Sequence, residues 1–132
     1  MCLTHLELQA QKKELEKLME KLENSVVLVE GKKDQYALEP YVRGGRIVQI
    51  SAGRLKTAGE RLAKDGIQSV IILTDRDSAG EELAMRASDE LRGYGINCDL
   101  ETRKRLMAIL RLSFVENFEK KYIEKIQEID EN

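Results

Sequence analysis

Two hydrophobic periods alternate along the chain, and the places where one gives way to the other predict its elements. From about Leu3 to Glu23, Leu8, Leu15 and Leu22 recur seven apart with Leu18 and Met19 between them, marking a charged helix with a narrow apolar stripe. That stripe is expected to pack against the rest of the chain or a second copy. Val26-Val27-Leu28-Val29 is then a continuous apolar run too short for a helix, and reads as a buried strand. Asp34 to Glu39 predicts a short helix stopped by Pro40, and Gly44-Gly45 turns the chain into a second strand, Ile47-Val48-Gln49-Ile50. After a loop at Ser51-Ala52-Gly53, Leu55, Ala58, Leu62 and Ala63 mark a helix ended by Asp65-Gly66.

Ser69 to Thr74 is the third strand, and Ser78 is expected to cap a helix carrying Ala79, Leu83, Ala84, Ala87 and Leu91 at helical spacing. Gly93-Tyr94-Gly95 ends that helix, and Ile96 to Leu100 makes a fourth short strand. From Glu101 the pattern is helical again, through Leu106, Met107, Leu110 and Leu112 and then Phe114, Val115, Phe118, Tyr122, Ile123 and Ile126, with a frayed acidic end. The alternation predicts an α/β fold: a parallel sheet of about four strands with helices on both faces. The expected organisation is a charged N-terminal helix over 1–24, a core domain over 25–100 and a C-terminal helical extension over 101–132. The stripes of the terminal helices leave room for a homodimer built through them.

Composition narrows the class. Charged residues make up 35% of the 132 residues and the net charge is −2, so the chain is no polycation that coats nucleic acid indiscriminately. No run approaches the roughly 18 apolar residues of a membrane span, and the polar start is no secretory leader, so cytoplasmic residence without a membrane partner is the expectation. Cys2 and Cys98 are too few and unpatterned for a disulfide framework or a zinc site, and Cys98 is expected as a small buried strand residue. His5 is the only histidine, which argues against histidine acid–base chemistry.

The candidate chemistry lies where two strands end. Glu30 follows the first strand in Glu30-Gly31-Lys32-Lys33-Asp34, and Asp75 and Asp77 follow the third in Asp75-Arg76-Asp77-Ser78-Ala79-Gly80. Ligands of open parallel sheets bind beyond the carboxyl ends of the strands. If the first and third strands are neighbours, the three acids converge on a small volume, and hard carboxylate oxygens with room for water suit magnesium. A single such acid is more often a helix cap, or a salt-bridge partner of Lys32, Arg54 or Arg76; three at two strand ends point to a site. Between residues 31 and 64 there are eight bases against three acids, a local excess that fits a polyanionic substrate. Lys32, Lys33 and Arg54 lie just past strand ends and Arg76 sits between the aspartates, making these four the phosphate or nucleic-acid contact candidates. Other motifs fit less well. Gly31-Lys32 lacks the loop and second glycine of a nucleotide-binding P-loop. A response-regulator receiver wants paired acids after its first strand.

The glutamate–glycine turn after one apolar strand, followed 45 residues later by Asp75-Arg76-Asp77-Ser78-Ala79-Gly80 after another, resembles the Toprim domain. That domain is shared by type IA and type II topoisomerases, bacterial primases, OLD-family nucleases, recombination protein R and the ribonuclease that matures 5S ribosomal RNA. Glu-Gly-Lys-Lys-Asp with a compact core is most similar to small stand-alone Toprim proteins nearest the maturation ribonuclease and primase group. The resemblance spans roughly residues 25 to 100. It implies Glu30 as general acid–base residue and metal contact, and Asp75 and Asp77 as ligands of Mg2+, with Mn2+ able to substitute. Gly31 and Gly80 would let backbone come close to phosphate or start a helix tightly against the sheet. Tyr36, Tyr41, Tyr94 and Tyr122 sit in no context of a topoisomerase nucleophile. Two functions stay open: a magnesium-dependent nuclease or phosphotransferase acting on RNA or DNA with metal-bound water as nucleophile, or a non-catalytic module that binds magnesium and nucleic acid.

Overall fold

The computed structural model describes residues 2–131. In chain order its elements are α1 (His5–Glu23), β1 (Val26–Val29), α2 (Lys32–Leu38), β2 (Arg46–Gln49), α3 (Leu55–Lys64), β3 (Ser69–Ile72), α4 (Ser78–Arg92), β4 (Asn97–Asp99), α5 (Glu101–Leu110) and α6 (Phe118–Asp130). The four strands form one all-parallel sheet in the order β2-β1-β3-β4. This is the α/β architecture that the alternation of periods predicts. Among the described residues no helix is long and apolar enough to cross a membrane.

Side chains of a strand alternate between the two faces of its sheet, and β1 and β3 use both. Val27, Val29, Ile71 and Leu73 belong to a core shared with α1, α2, α5 and α6, whereas Leu28, Val70 and Ile72 belong to a second core built with α3 and α4. A continuous apolar run is therefore what these two strands need. The stripe of α1 is covered within the chain: Leu8, Leu15 and Leu22 are buried in the first core, each leucine contributing about 2 kcal/mol by its burial. Glu14 and Arg105 form a bidentate ion pair, with both contacts at 2.7 Å, that ties α1 to α5. Thr4 and Glu7 close a reciprocal capping box that starts α1 at His5.

Several local expectations are corrected. Ser51-Ala52-Gly53 is no plain loop, because Ala52–Arg54 winds into a 3-10 turn that leads directly into α3. The helical pattern after Glu101 is two helices rather than one run. Arg111 adopts the left-handed conformation (φ 54°) and ends α5, and the Leu112 N–H reaches back to the Met107 carbonyl at 2.9 Å, the closure that glycine usually provides. A 3-10 turn, Val115–Asn117, then starts α6. The expected frayed end is helical through Asp130, held by the buried Lys125 and Ile129; Asn132 lies outside the described residues. Cys98 is half-buried in β4, and burial pushes its thiol up to about 11, an inert structural residue.

Candidate functional site

The chain leaves β1 toward β2 on one side and returns past it to β3 on the other, so the winding reverses between β1 and β3. At such a switch point the carboxyl ends of the strands open a crevice that binds ligands in doubly wound folds. Leu28 is paired with Ile72, which sets Glu30 level with Thr74 and beside Asp75. Glu30 Oε1 accepts a hydrogen bond from the Asp75 N–H at 2.9 Å, binding the two acidic turns to each other. Asp75 Oδ1 in turn accepts from the Val115 N–H at 2.8 Å. Asp77 Oδ1 accepts from the Gly80 N–H at 2.7 Å and is the N-cap of α4, the role expected of Ser78, which is instead the exposed first residue of the helix.

A further acid lies beside Glu30 and Asp75. Asp34, in the first turn of α2, is only 8% exposed. Its carboxyl is pushed up to about 6, by burial first and then by the negative charges of Asp75 and Glu30; Glu116 adds to this and a backbone hydrogen bond at Gly31 opposes it. Because the folded state holds this proton more tightly than the unfolded chain, stability falls as pH rises from about 4 to 6, and the full penalty applies above that window. The shift corresponds to roughly 2 to 3 kcal/mol. Asp34→Asn keeps the shape and removes the charge. In chelator, it is expected to raise the thermal stability at pH 7.5 by about 1 to 2 kcal/mol and to leave it unchanged at pH 4. Melts at the two pH values check this, and equal effects at both would contradict it.

The donor set has a definite chemical character. Among the described residues, none of Glu30, Asp34, Asp75 and Asp77 is in an ion pair, so Glu30 is no salt-bridge partner of Lys32, Arg54 or Arg76. Nor, among the described residues, are three or more His, Cys, Asp or Glu side chains gathered closely enough to hold a metal ion. Glu30 and Asp75 meet, whereas Asp77 caps α4, so the three acids expected to converge do not gather into such a cage. Magnesium needs none, since one or two carboxylates with several waters hold it. Carboxylate oxygens without cationic partners, beside a buried acid whose proton affinity their charge raises, are chemistry that fits a hard dication.

The basic candidates divide. Lys32 and Lys33 are exposed in the first turn of α2, directly after Glu30, and Arg54 is exposed at the end of the 3-10 turn after β2. Arg76 donates its N–H to the Ser113 carbonyl at 2.7 Å and lines a cleft of 470 Å³ between α4 and α5. Glu30 lines a different cavity, of 360 Å³, with Ile50, Ala52, Leu83 and Arg86. The two glycines differ as well. A Cβ on Gly31 would meet nothing within 4 Å, whereas one on Gly80 would stand 2.0 Å from the Asp75 carbonyl oxygen. Gly80 thus lets the first turn of α4 lie against the acidic turn of its own chain.

Three participants carry no sequence signal of their own as site groups: the Asp34 carboxyl, the Val115 N–H, and Arg103, whose buried guanidinium donates to the Thr74 and Asp75 carbonyls. Asp34 lies within the Glu30-Gly31-Lys32-Lys33-Asp34 turn, where it reads as the first residue of a helix. Its approach to Glu30 and Asp75 depends on how α2 packs at the strand ends, which no local pattern shows. For Val115 and Arg103 the signal is purely tertiary.

A Toprim domain profile matches residues 24–100. A UPF0292 protein of Thermococcus sibiricus is 37% identical over 101 residues, covering 75% of this chain and 79% of its own. A UPF0292 protein of Archaeoglobus fulgidus is 38% identical over 116 residues, covering 87% and 82%. A solved structure of a protein from Aquifex aeolicus has a TM-score of 0.66 at 24% identity, covering 78% of this chain and 96% of that one, a likeness that concerns the fold alone. With both acidic turns and all four parallel strands inside the matched span, the chain belongs to the Toprim family, alongside the archaeal UPF0292 proteins.

Proposed function

We propose that the chain is a magnesium-dependent phosphodiesterase acting on RNA or DNA. The observation that carries this reading is the meeting of Glu30, Asp34 and Asp75 at the β1/β3 switch point, where like charges raise the proton affinity of Asp34 and no ion pair neutralises them. Asp75 and Asp77 are the residues that would hold magnesium, each with one carboxylate oxygen fixed by a main-chain N–H. When bound, the ion supplies neutralisation of the phosphate charge and a lowered pKa for a coordinated water. Glu30 is held by the Asp75 N–H through one oxygen, which leaves the other to take up or return a proton. Lys32, Lys33 and Arg54, exposed around the strand ends and without ion-pair partners among the described residues, would take flanking phosphates.

A second reading, a module that binds magnesium and nucleic acid without cutting, is favoured by one feature: each of Glu30, Asp75 and Asp77 already accepts a main-chain hydrogen bond, as groups with structural duties do. End-labelled structured RNA, single-stranded DNA and supercoiled plasmid, incubated with the protein in Mg2+, Mn2+ or chelator, separate the two. The expected result is cleavage of at least one substrate that requires the metal and disappears in the Asp75→Asn/Asp77→Asn double variant. Binding without cleavage in either metal supports the module, and cleavage that survives the double variant overturns the site assignment.

A further inference from the structure

The acidic turn after β3 is held from outside the matched Toprim span. Arg103, on α5, is only 6% exposed, yet its side chain does not pair with any of the four site acids. Its Nε donates to the Thr74 carbonyl at 2.9 Å and its Nη2 to the Asp75 carbonyl at 2.7 Å. The rest of the fork is occupied by Glu81 on α4, with contacts of 3.1 and 3.3 Å. Past the end of α5, the Ser113 carbonyl accepts the Arg76 N–H and the Val115 N–H holds Asp75 Oδ1. Four hydrogen bonds from residues 103–115 thus fix the main chain of residues 74–76 and one oxygen of the Asp75 carboxylate.

We infer that Arg103 and the Ser113–Val115 segment are positioning elements of the metal site: they fix the main chain of the turn and aim the Asp75 carboxylate without occupying its second oxygen. The inference rests on the reading of Asp75 as a metal ligand. The physical reason is that the acids repel one another. A direct ion pair to Asp75 would relieve this but fill the ligand. A guanidinium bound to the carbonyls at the turn, with Glu81 balancing its charge, holds the turn in place and leaves the carboxylate free, because its planar fork spans several acceptors at fixed angles. Outer partners of this kind typically set metal affinity by tenfold to a hundredfold.

Two variants, with Asp75→Asn as control, and one measurement on the unmodified chain test this. Val115→Pro deletes a single N–H. Proline suits the first position of a 3-10 or α turn, and Phe114 before it is already extended (φ −117°, ψ 122°) as a pre-proline residue must be. Arg103→Lys keeps the charge and loses the fork. Mn2+ binding is titrated through the electron paramagnetic resonance signal of the free ion, below the melting temperature of each variant. The unmodified chain should bind and Asp75→Asn should not, while Val115→Pro and Arg103→Lys bind about tenfold or more weakly, with unchanged circular dichroism. Mg2+ should also shift the Val115 amide and Arg103 Nε–H resonances of the unmodified chain. Folded variants with full affinity, or resonances that stay in place, overturn the inference while leaving the site standing. An unmodified chain that fails to bind Mn2+ overturns the metal reading itself and the inference with it.

Discussion

Glu30→Gln is expected to slow cleavage by about a hundred- to ten-thousandfold while leaving the fold and the affinity for uncut nucleic acid intact. Glu30 holds the site together through one contact, Oε1 accepting the Asp75 N–H at 2.9 Å. A glutamine carbonyl oxygen accepts the same bond at the same place. What the amide cannot do is exchange a proton, so the variant isolates acid–base chemistry from architecture. The predicted loss corresponds to about 3 to 5 kcal/mol of transition-state stabilisation. Removing one of several crowded negative charges gives no reason for the fold to weaken. Single-turnover cleavage beside a binding titration on the same substrate checks the prediction. Equal loss of binding and cleavage would recast Glu30 as a binding residue, and undiminished cleavage would require a different proton-transfer group.

A large effect on stability is expected at Gly80, beside the site. An added methyl group would sit 2.0 Å from the Asp75 carbonyl oxygen, 2.8 Å from its carbon and 3.0 Å from its nitrogen. These are main-chain atoms in the middle of the site and cannot rotate aside. The first turn of α4 would have to move, and it takes part in two bonds of the acidic turn: the Gly80 N–H caps onto Asp77 Oδ1, and the Gly80 carbonyl accepts the buried Thr74 hydroxyl at 2.7 Å. Gly80→Ala should therefore destabilise by about 3 kcal/mol, the upper end of overpacking. For a chain of this size the melting midpoint would fall by roughly 10 °C. Metal affinity should fall as well, since Asp75 and Asp77 flank the displaced turn. Thermal melts in chelator and Mn2+ titration check both, and a shift of only a degree or two would mean that the helix moves freely against the turn.

How much of this was legible in the chain follows from the range of each signal. β1 and β3 stand out because both faces of a central parallel strand are covered, so nothing polar interrupts Val26–Val29 or Ser69–Leu73 after its first residue. Glu30, Asp75 and Asp77 stand out because a carboxylate ends each run. The cap of α4 was misplaced by one residue. Ser78 and Asp77 are both good caps, and the choice depends on which residue is extended when the chain leaves Asp75. The break after α5 was invisible because an arginine, not a glycine, takes the left-handed position. That substitution hides the corner that brings Val115 to Asp75.

The sequence by itself determined the four strands, the helices through α4, the parallel sheet and the two acidic turns, since hydrophobic period, turn residues and acids at strand ends are all read within a few residues of one another. Only the tertiary structure decided which groups meet at those turns. β1 and β3 are neighbours, which puts Glu30 against Asp75 across 45 residues. α2 folds Asp34 down to them, where burial and their charge raise its proton affinity. Arg103 and Val115 come from 28 and 40 residues beyond Asp75 to hold it. A buried arginine and a bare main-chain N–H look like any other residue until their acceptors are known. Periodicity records which face of an element is covered, and electrostatics at a site depends on distances through space that no local pattern encodes.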